Sequence, residues 1–250
     1  MASPLPRIFS PSRRAAIRAR MEALQRAADA PRYLHADIAE DTMERLAFLR
    51  HAPARALVLG DAGQTVAEAL ATSASEIISS GPKFPLEEPW PQGGFDLIVA
   101  ALAFDTVNDL PGALIHARNA LAPGGLLLAT LIGAGSLPAL RAIMLAADGD
   151  RPAPRVHPQV DVRAGAQLLQ RAGLADPVAD SRTLDVRFSS MARLVGDLRA
   201  QGLSSALVQG GPPLSREART RAIAAFIEQA ESDGKVAERF ELLTLSGWRR

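Results

Sequence analysis

Cysteine is absent from the sequence. That excludes disulfides, thiolate metal sites and cysteine nucleophiles together, and it fits a reducing compartment. Aromatic residues make up 4% of the chain, with one tyrosine and two tryptophans, so no stacking platform for nucleic acid is on offer. A formal net charge of +1 supplies no bulk attraction to a polyanion or an anionic membrane. Lysine is nearly missing: Lys83 and Lys235 are the only two among 28 basic residues, which, beside the abundant alanine, reads as coding bias. The longest apolar runs, near 97–104 and 125–132, fall well short of the ~20 residues a membrane helix needs. The start lacks the apolar core of a secretory signal. No G-x-S-x-G, G-x-G-x-x-G or G-K-[ST] pattern occurs, which removes the nucleophile elbow, the dinucleotide fingerprint and the P-loop. The four histidines, His35, His51, His116 and His157, fall on different predicted elements without ligand spacing, so no metal is expected.

What is present is arginine near the start. Arg7, Arg13, Arg14, Arg18 and Arg20 precede the first acidic residue, Glu22. The pattern reads as a basic surface helix of a bacterial cytoplasmic protein, with a mitochondrial-matrix leader as the alternative. Ser12 is its predicted N-cap, and Ile17, Met21 and Leu24 form its apolar stripe. A second helix, "DIAEDTMERLAFL", places Ile38, Met43, Leu46 and Leu49 near one face. Thereafter strands and helices alternate. "ARALVLG", "SEIISS", "FDLIVAAL" and "LLLATLI" read as strands, and "TVAEALA" and "DLPGALIHARNAL" as helices, with "APGG" as a tight turn. This pitch predicts a parallel sheet with helices on both faces. Beyond residue 135 come four helical stretches, a proline-rich loop "DGDRPAPRVHP" and two further strands, "PVADSRTLDVRF" and "RFELLTLSGW". The organisation predicted is one domain, 1–250: a helical cap over 1–52, a ligand-side half over 53–135, and a C-terminal half with a helical insertion over 136–250.

In open α/β sheets ligands bind beyond the carboxyl ends of the strands. Here that means 60–64, 79–81, 101–106 and 131–136. Gly60 and Gly63 allow close backbone approach after the first strand, and the following helix offers free N–H groups. About 20 residues past the first glycine, where an acid would grip a ribose, stand Ser79 and Ser80. Asp105 follows the third buried strand, where a catalytic group would sit; a solvated loop ending in a helix cap, shared with Thr106 and Asp109, is the competing reading. Glu87 and Glu88 are either exposed or placed to receive an adenine amino group.

The succession "FDLIVAALAFDTVNDLPGALIHARNALAPGGLLLATL" resembles the middle of class I S-adenosylmethionine-dependent methyltransferases, with F-D-L-V opening one strand and L-x-P-G-G leading into the next. "VNDLPGAL", "SLPALR", "LLQRAGLADPVAD", "LVGDLRAQG", the terminal "SGW" and the initial "IFSPSRRAAIRAR" narrow the resemblance to one subgroup. It holds the malonyl-carrier-protein methyltransferases of biotin synthesis and the methyltransferase-like assembly factors of respiratory complex I. The resemblance implies a Rossmann-like sheet, mostly parallel with an antiparallel strand near the C-terminus. It implies S-adenosylmethionine held by Gly60, Asp61, Ala62, Gly63, Ser79, Ser80, Ala101 and Leu102, with Asp105 as catalytic candidate. The partner it implies is a protein, either an acyl carrier protein or a complex I subunit. Three departures cluster at the cofactor. The family's D-L-G-x-G-x-G runs Val58, Leu59, Gly60, Asp61, Ala62, Gly63, Gln64; Asp105 and Thr106 replace a His-Trp pair; and the stretch between the second and fourth family strands is about 30 residues short, so that a helix and a strand are expected to be missing. The alternative reading is therefore a binding or assembly module on a methyltransferase fold that has lost tight cofactor binding, with its working surface over 190–230 and the proline-rich loop.

Overall fold

The computed structural model describes residues 7–250; the first six residues of the leader-like stretch lie outside it. Two helices, α1 (Pro11–Leu24) and α2 (Tyr33–Leu49), precede the first strand. β1 (Arg55–Leu59) leads through a short 3-10 turn, Ala62–Gln64, into α3 (Thr65–Leu70) and β2 (Glu76–Ser79). β3 (Phe95–Ala101), α4 (Leu110–Ala120) and β4 (Leu121–Ile132) complete the parallel part. α5 (Pro138–Asp148), α6 (Val162–Arg171), β5 (Ala175–Phe188), α7 (Met191–Ala200), α8 (Arg216–Glu228) and β6 (Val236–Trp248) follow.

The six strands form one sheet in the order β2-β1-β3-β4-β6-β5. β2, β1, β3 and β4 run parallel, whereas β6 is antiparallel to both β4 and β5. This is the predicted Rossmann-like architecture with its antiparallel end. Between β2 and β3 the described residues contain neither helix nor strand, so β2 is left at the sheet edge. The shortening read from the sequence thus removes one strand and its helix.

The pleat sorts the apolar residues onto two faces. Val58, Leu97, Val99, Leu126 and Leu128 join a core with α2, α5, α7 and α8, while Leu57, Leu59, Ile98, Leu127 and Leu131 join a second core under α4 and α6. Continuous apolar strands are what a sheet covered on both sides requires. Leu86, fully buried, seals the second core near β2, with Phe84 and Trp90 packed beside it.

Several local expectations change. Ser10, not Ser12, caps α1: its side chain accepts from the Arg13 N–H, and Pro11 takes the first helical position. Leu24 and Leu49 point away from the core and are exposed; Met21, Ile38 and Leu46 are buried. "APGG" is not a separate turn. It lies within β4 as an irregularity, where the pairing of Phe95 and Leu97 jumps from Leu121 to Leu126, and Gly124 (φ +80°) donates its N–H to Arg249. α4 behaves as predicted, capped by Asp109 on the Gly112 N–H at 2.9 Å, with Leu114 and Ala117 inward.

Candidate functional site

The carboxyl ends of β1, β3 and β4 open beneath α1, and α1 is tied down across them. Asn108 accepts from the main-chain N–H groups of Ile8 and Phe9 (2.9 and 2.8 Å) and donates to the Phe9 carbonyl at 3.1 Å. Arg14 donates to the Thr106 carbonyl (2.9 Å) and pairs with Glu87. Arg18 donates to the Ala103 carbonyl at 2.7 Å. Every one of these anchors lies on the segment after β3 or on the loop facing it. The helix thereby divides the ligand end of the sheet into two clefts.

The first cleft is bordered by Arg14, Arg18, Gly60, Leu102 and Asp105, with Arg155, His157, Gln159 and Gln201 opposite. It encloses about 850 Å3 of empty space, its open mouth included. The second, polar and with about 890 Å3 of empty space, its open mouth included, is bordered by Glu22, Gln25, Arg26, Arg32, Val58, Asp61, Gly63, Gln64, Ser79 and Ser80. The predicted cofactor residues are therefore separated. Gly60 and Leu102 face the first cleft; Asp61, Gly63, Ser79 and Ser80 face the second; Ala62 and Ala101 are fully buried and face neither.

The glycine turn itself is covered by the chain's own side chains. Arg32 lies over Gly63: a Cβ there would stand 2.5 Å from its Nε and 2.9 Å from the Gln25 Oε1. Arg32 is locked in place by donating to Gln25 Oε1 (2.9 Å) and to the Gln25 carbonyl (3.0 Å). Gln25 in turn donates to the carbonyls of Pro31 and Ala200. The Gly60 carbonyl accepts from His35 Nε2 at 3.1 Å, which fixes the proton on that nitrogen. His35 is fully buried, and desolvation lowers its pKa to about 4, so the ring is neutral. Two of the free N–H groups of α3 are also taken: Asp61 accepts from Val66 (3.0 Å) and Ala67 (2.9 Å). Burial raises the Asp61 pKa, and these hydrogen bonds oppose it.

The Gly60 carbonyl thus carries one hydrogen bond from the protein and the α3 N-terminus two, and no carboxylate stands on the end of β2. Glu76 occupies its other end, paired with Arg55 at 3.0 Å. Gln64 and Trp90 play no part in the covering: Gln64 is exposed, and Trp90 packs edge-on against Phe84.

Gly60 has a separate structural duty. With φ +76° and Ala101 O only 2.4 Å from where a Cβ would be, it lets β1 turn against the end of β3.

Asp105 departs from the solvated-loop reading. Its Oδ1 accepts from the Ile132 N–H at 2.7 Å, tying the end of β4 to the segment after β3. Oδ2 is shielded from solvent and meets no donor. Burial pushes the Asp105 pKa up to about 6, against the opposing effect of the Ile132 N–H and Arg18. Arg18 is itself pushed down to about 10, first by burial and then by Arg14. Glu87 is engaged by Arg14, whereas Glu88 is exposed. The sequence names Arg18 only within a basic helix and His35 only within a set of histidines without ligand spacing, and it does not point to Arg155 or Gln201. The available signal for Arg18 was its place in the family-like "IFSPSRRAAIRAR".

A family model described as a methyltransferase domain matches residues 26–176. The rat protein named arginine-hydroxylase NDUFAF5, mitochondrial, is 29% identical over 165 residues, covering 64% of this chain and 48% of that protein. A Coxiella burnetii malonyl-[acyl-carrier protein] O-methyltransferase 1 is 36% identical over 118 residues, covering 47% of this chain and 40% of the other. The chain spans about half the length of the curated relatives it matches. Among solved structures, the YcgJ protein of Bacillus subtilis superposes with a TM-score of 0.53 at 12% identity, over 84% of this chain and 99% of that one. At that identity the likeness carries the fold alone.

Proposed function

The chain belongs to the methyltransferase-domain family, and from that premise we propose that it is a methyltransferase-fold binding module that does not hold S-adenosylmethionine in its glycine turn. One observation carries the reading: Arg32 and Gln25 cover Gly63 while His35 and Asp61 engage the polar groups of the turn. Moving Arg32 off Gly63 breaks its two hydrogen bonds to Gln25. At roughly 1 kcal/mol each, that costs about 2 kcal/mol, or roughly 30-fold in affinity. The partner in this reading is a protein, an acyl carrier protein or a subunit of respiratory complex I. The surface offered to it is α7, α8 and the proline-rich loop. A bacterial cytoplasm suits the carrier-protein partner and the mitochondrial matrix the other; among the described residues no helix is long and apolar enough to cross a membrane.

A second reading, a working methyltransferase, is favoured by one feature. Gly60 and Leu102 still border an open cleft beside Asp105. Calorimetric titration of the native protein with S-adenosylmethionine and S-adenosylhomocysteine separates the two. Silence at millimolar ligand supports the module. Binding tighter than about 100 μM overturns it and leaves the enzyme standing.

A further inference from the structure

We propose that the free edge of β5 is a self-association surface, along which two copies of the chain pair antiparallel about Val186. This goes beyond the reading of the glycine turn, since neither that turn nor the clefts beside it take part.

Past the end of β4 the sheet narrows to an arm of two strands. The pairing of β4 with β6 stops at Ile132 and Leu242, whereas β5 and β6 continue together from Thr183 and Glu241 to Phe188 and Val236. The two outer edges of this arm differ. That of β6 is covered by the chain following β4: Gly133 donates its N–H to the Glu241 carbonyl (2.7 Å) and Leu137 to that of Arg239 (2.8 Å). That of β5 is bare. β5 is the last strand of the sheet, and among the described residues no main-chain group outside β6 bonds to its main chain. A bare edge on a strand of 14 residues is a template for another strand unless something blunts it. The usual guards are missing between Val178 and Phe188, which contain neither proline nor lysine. Each charged side chain of β5 is already paired within the chain, Asp185 with Arg239 and Arg187 with Glu231 and Asp233 among them.

The faces of the arm suit added strands. Leu184, Val186 and Phe188 pack into the core that α7 and α8 cover, while Thr183, Asp185 and Arg187 are exposed on the other face. An antiparallel sheet dry on one face and wet on the other is stable, and it gains from a third and fourth strand.

Charge decides the occupant. Residues directly opposite in an antiparallel pair share a face, so a two-fold axis at Val186 pairs residues equally far from it. Asp185 of each copy then stands opposite Arg187 of the other on the open face, and Leu184 opposite Phe188 on the dry one. A second register also matches charge, about Ser181. It relies on Asp180 and Arg182, which are already held by Arg45, Asp37 and Asp41 of α2. The edge around Val186 is thus complementary to itself, which is what a two-fold contact between identical chains requires.

The test is sedimentation equilibrium of the full-length protein from low to high micromolar concentration. The native mass should rise from 26.5 kDa towards twice that value. Arg187→Asp sets like charges opposite each other at both contacts, and so does Asp185→Arg. Each variant alone should associate about tenfold or more weakly. Mixed in equal amounts, the two variants restore both opposite pairs, so the mixture should associate more tightly than either alone and about as tightly as the native chain. Both side chains are exposed and their partners within the chain form surface pairs, so each variant should keep its fold, checked by circular dichroism. Should a variant unfold, hydrogen exchange on the native protein supplies a second arm: amides within 183–188 should gain protection as concentration rises. Ile227→Glu, at an exposed position of α8, should leave association unchanged. The proposal is overturned by a native mass that stays at 26.5 kDa, by a mixture no tighter than its components, or by association lost in Ile227→Glu.

Discussion

On one side of α1 the turn after β1 is covered: Arg32 and Gln25 lie on Gly63, His35 holds the Gly60 carbonyl, and Asp61 caps α3. On the other side, Arg18 and Asp105 face an open cleft with donors and an acceptor unmatched by protein. Both regions lie at the same ligand end of the same sheet. They differ in how their polar groups are satisfied because the two halves are bounded by different elements. The nucleoside half depends on the β1 turn and the β2 end. The remaining half depends on α1, the segment after β3 and the loop following α5.

Acid titration is the largest lever on this contrast. His35 on the covered side has a folded pKa of about 4 against an ordinary 6.5. Between those values the unfolded chain binds the extra proton, so stability falls as pH is lowered from 6.5 towards 4. The full shift corresponds to about 3 kcal/mol. On the open side the effects oppose one another. His157 acts in the same direction, whereas Asp105, raised to about 6 from 3.8, binds its proton more readily when folded and so offsets part of the loss below pH 6. Urea unfolding at several pH values should show a decline on acidification that flattens most in His35→Gln. An unchanged slope in that variant would break the assignment of a neutral, buried His35.

Gly60→Ala comes next. A Cβ at positive φ beside the Ala101 carbonyl should cost at least about 2 kcal/mol, read as a lowered urea midpoint. Gly63→Ala should cost less, about 1 kcal/mol, because its obstructions are side chains of Arg32 and Gln25 that can shift where a carbonyl cannot. Equal losses at the two glycines would contradict the view that one faces backbone and the other a side-chain cover.

Ser79→Asp should have the smallest effect. It restores a carboxylate to the β2 end, yet it should change stability by less than about 0.5 kcal/mol and bring no S-adenosylhomocysteine binding by calorimetry. Binding gained by that single change would show that the missing acid, rather than the cover, was the obstacle.

Much of the fold was legible in the sequence for physical reasons. β1, β3 and β4 are apolar on both faces because both faces are covered, and their runs stood out. The loss of a strand and helix between β2 and β3 could be read from the short, proline-rich 80–94 segment, which has no room for them. The site was only half legible. Gly60 and Leu102 line the open cleft, but Asp61 is a helix cap and Ala62 is core. Asp105 looked like a loop residue because Thr106, Asn108 and Asp109 follow it, whereas the groups that meet it are tertiary: the Ile132 N–H, 27 positions ahead in the chain, and the Arg18 charge on α1. The covering of Gly63 by Gln25 and Arg32 is likewise tertiary: no local pattern around residue 63 announces it.

The most direct measurement is a crystal structure of the native protein grown with millimolar S-adenosylhomocysteine. Arg32 and Gln25 should be seated on Gly63, with His35 bonded to the Gly60 carbonyl and no nucleoside between Gly63 and Ser79. A nucleoside bound there, with α1 or Arg32 displaced from the turn, would contradict it.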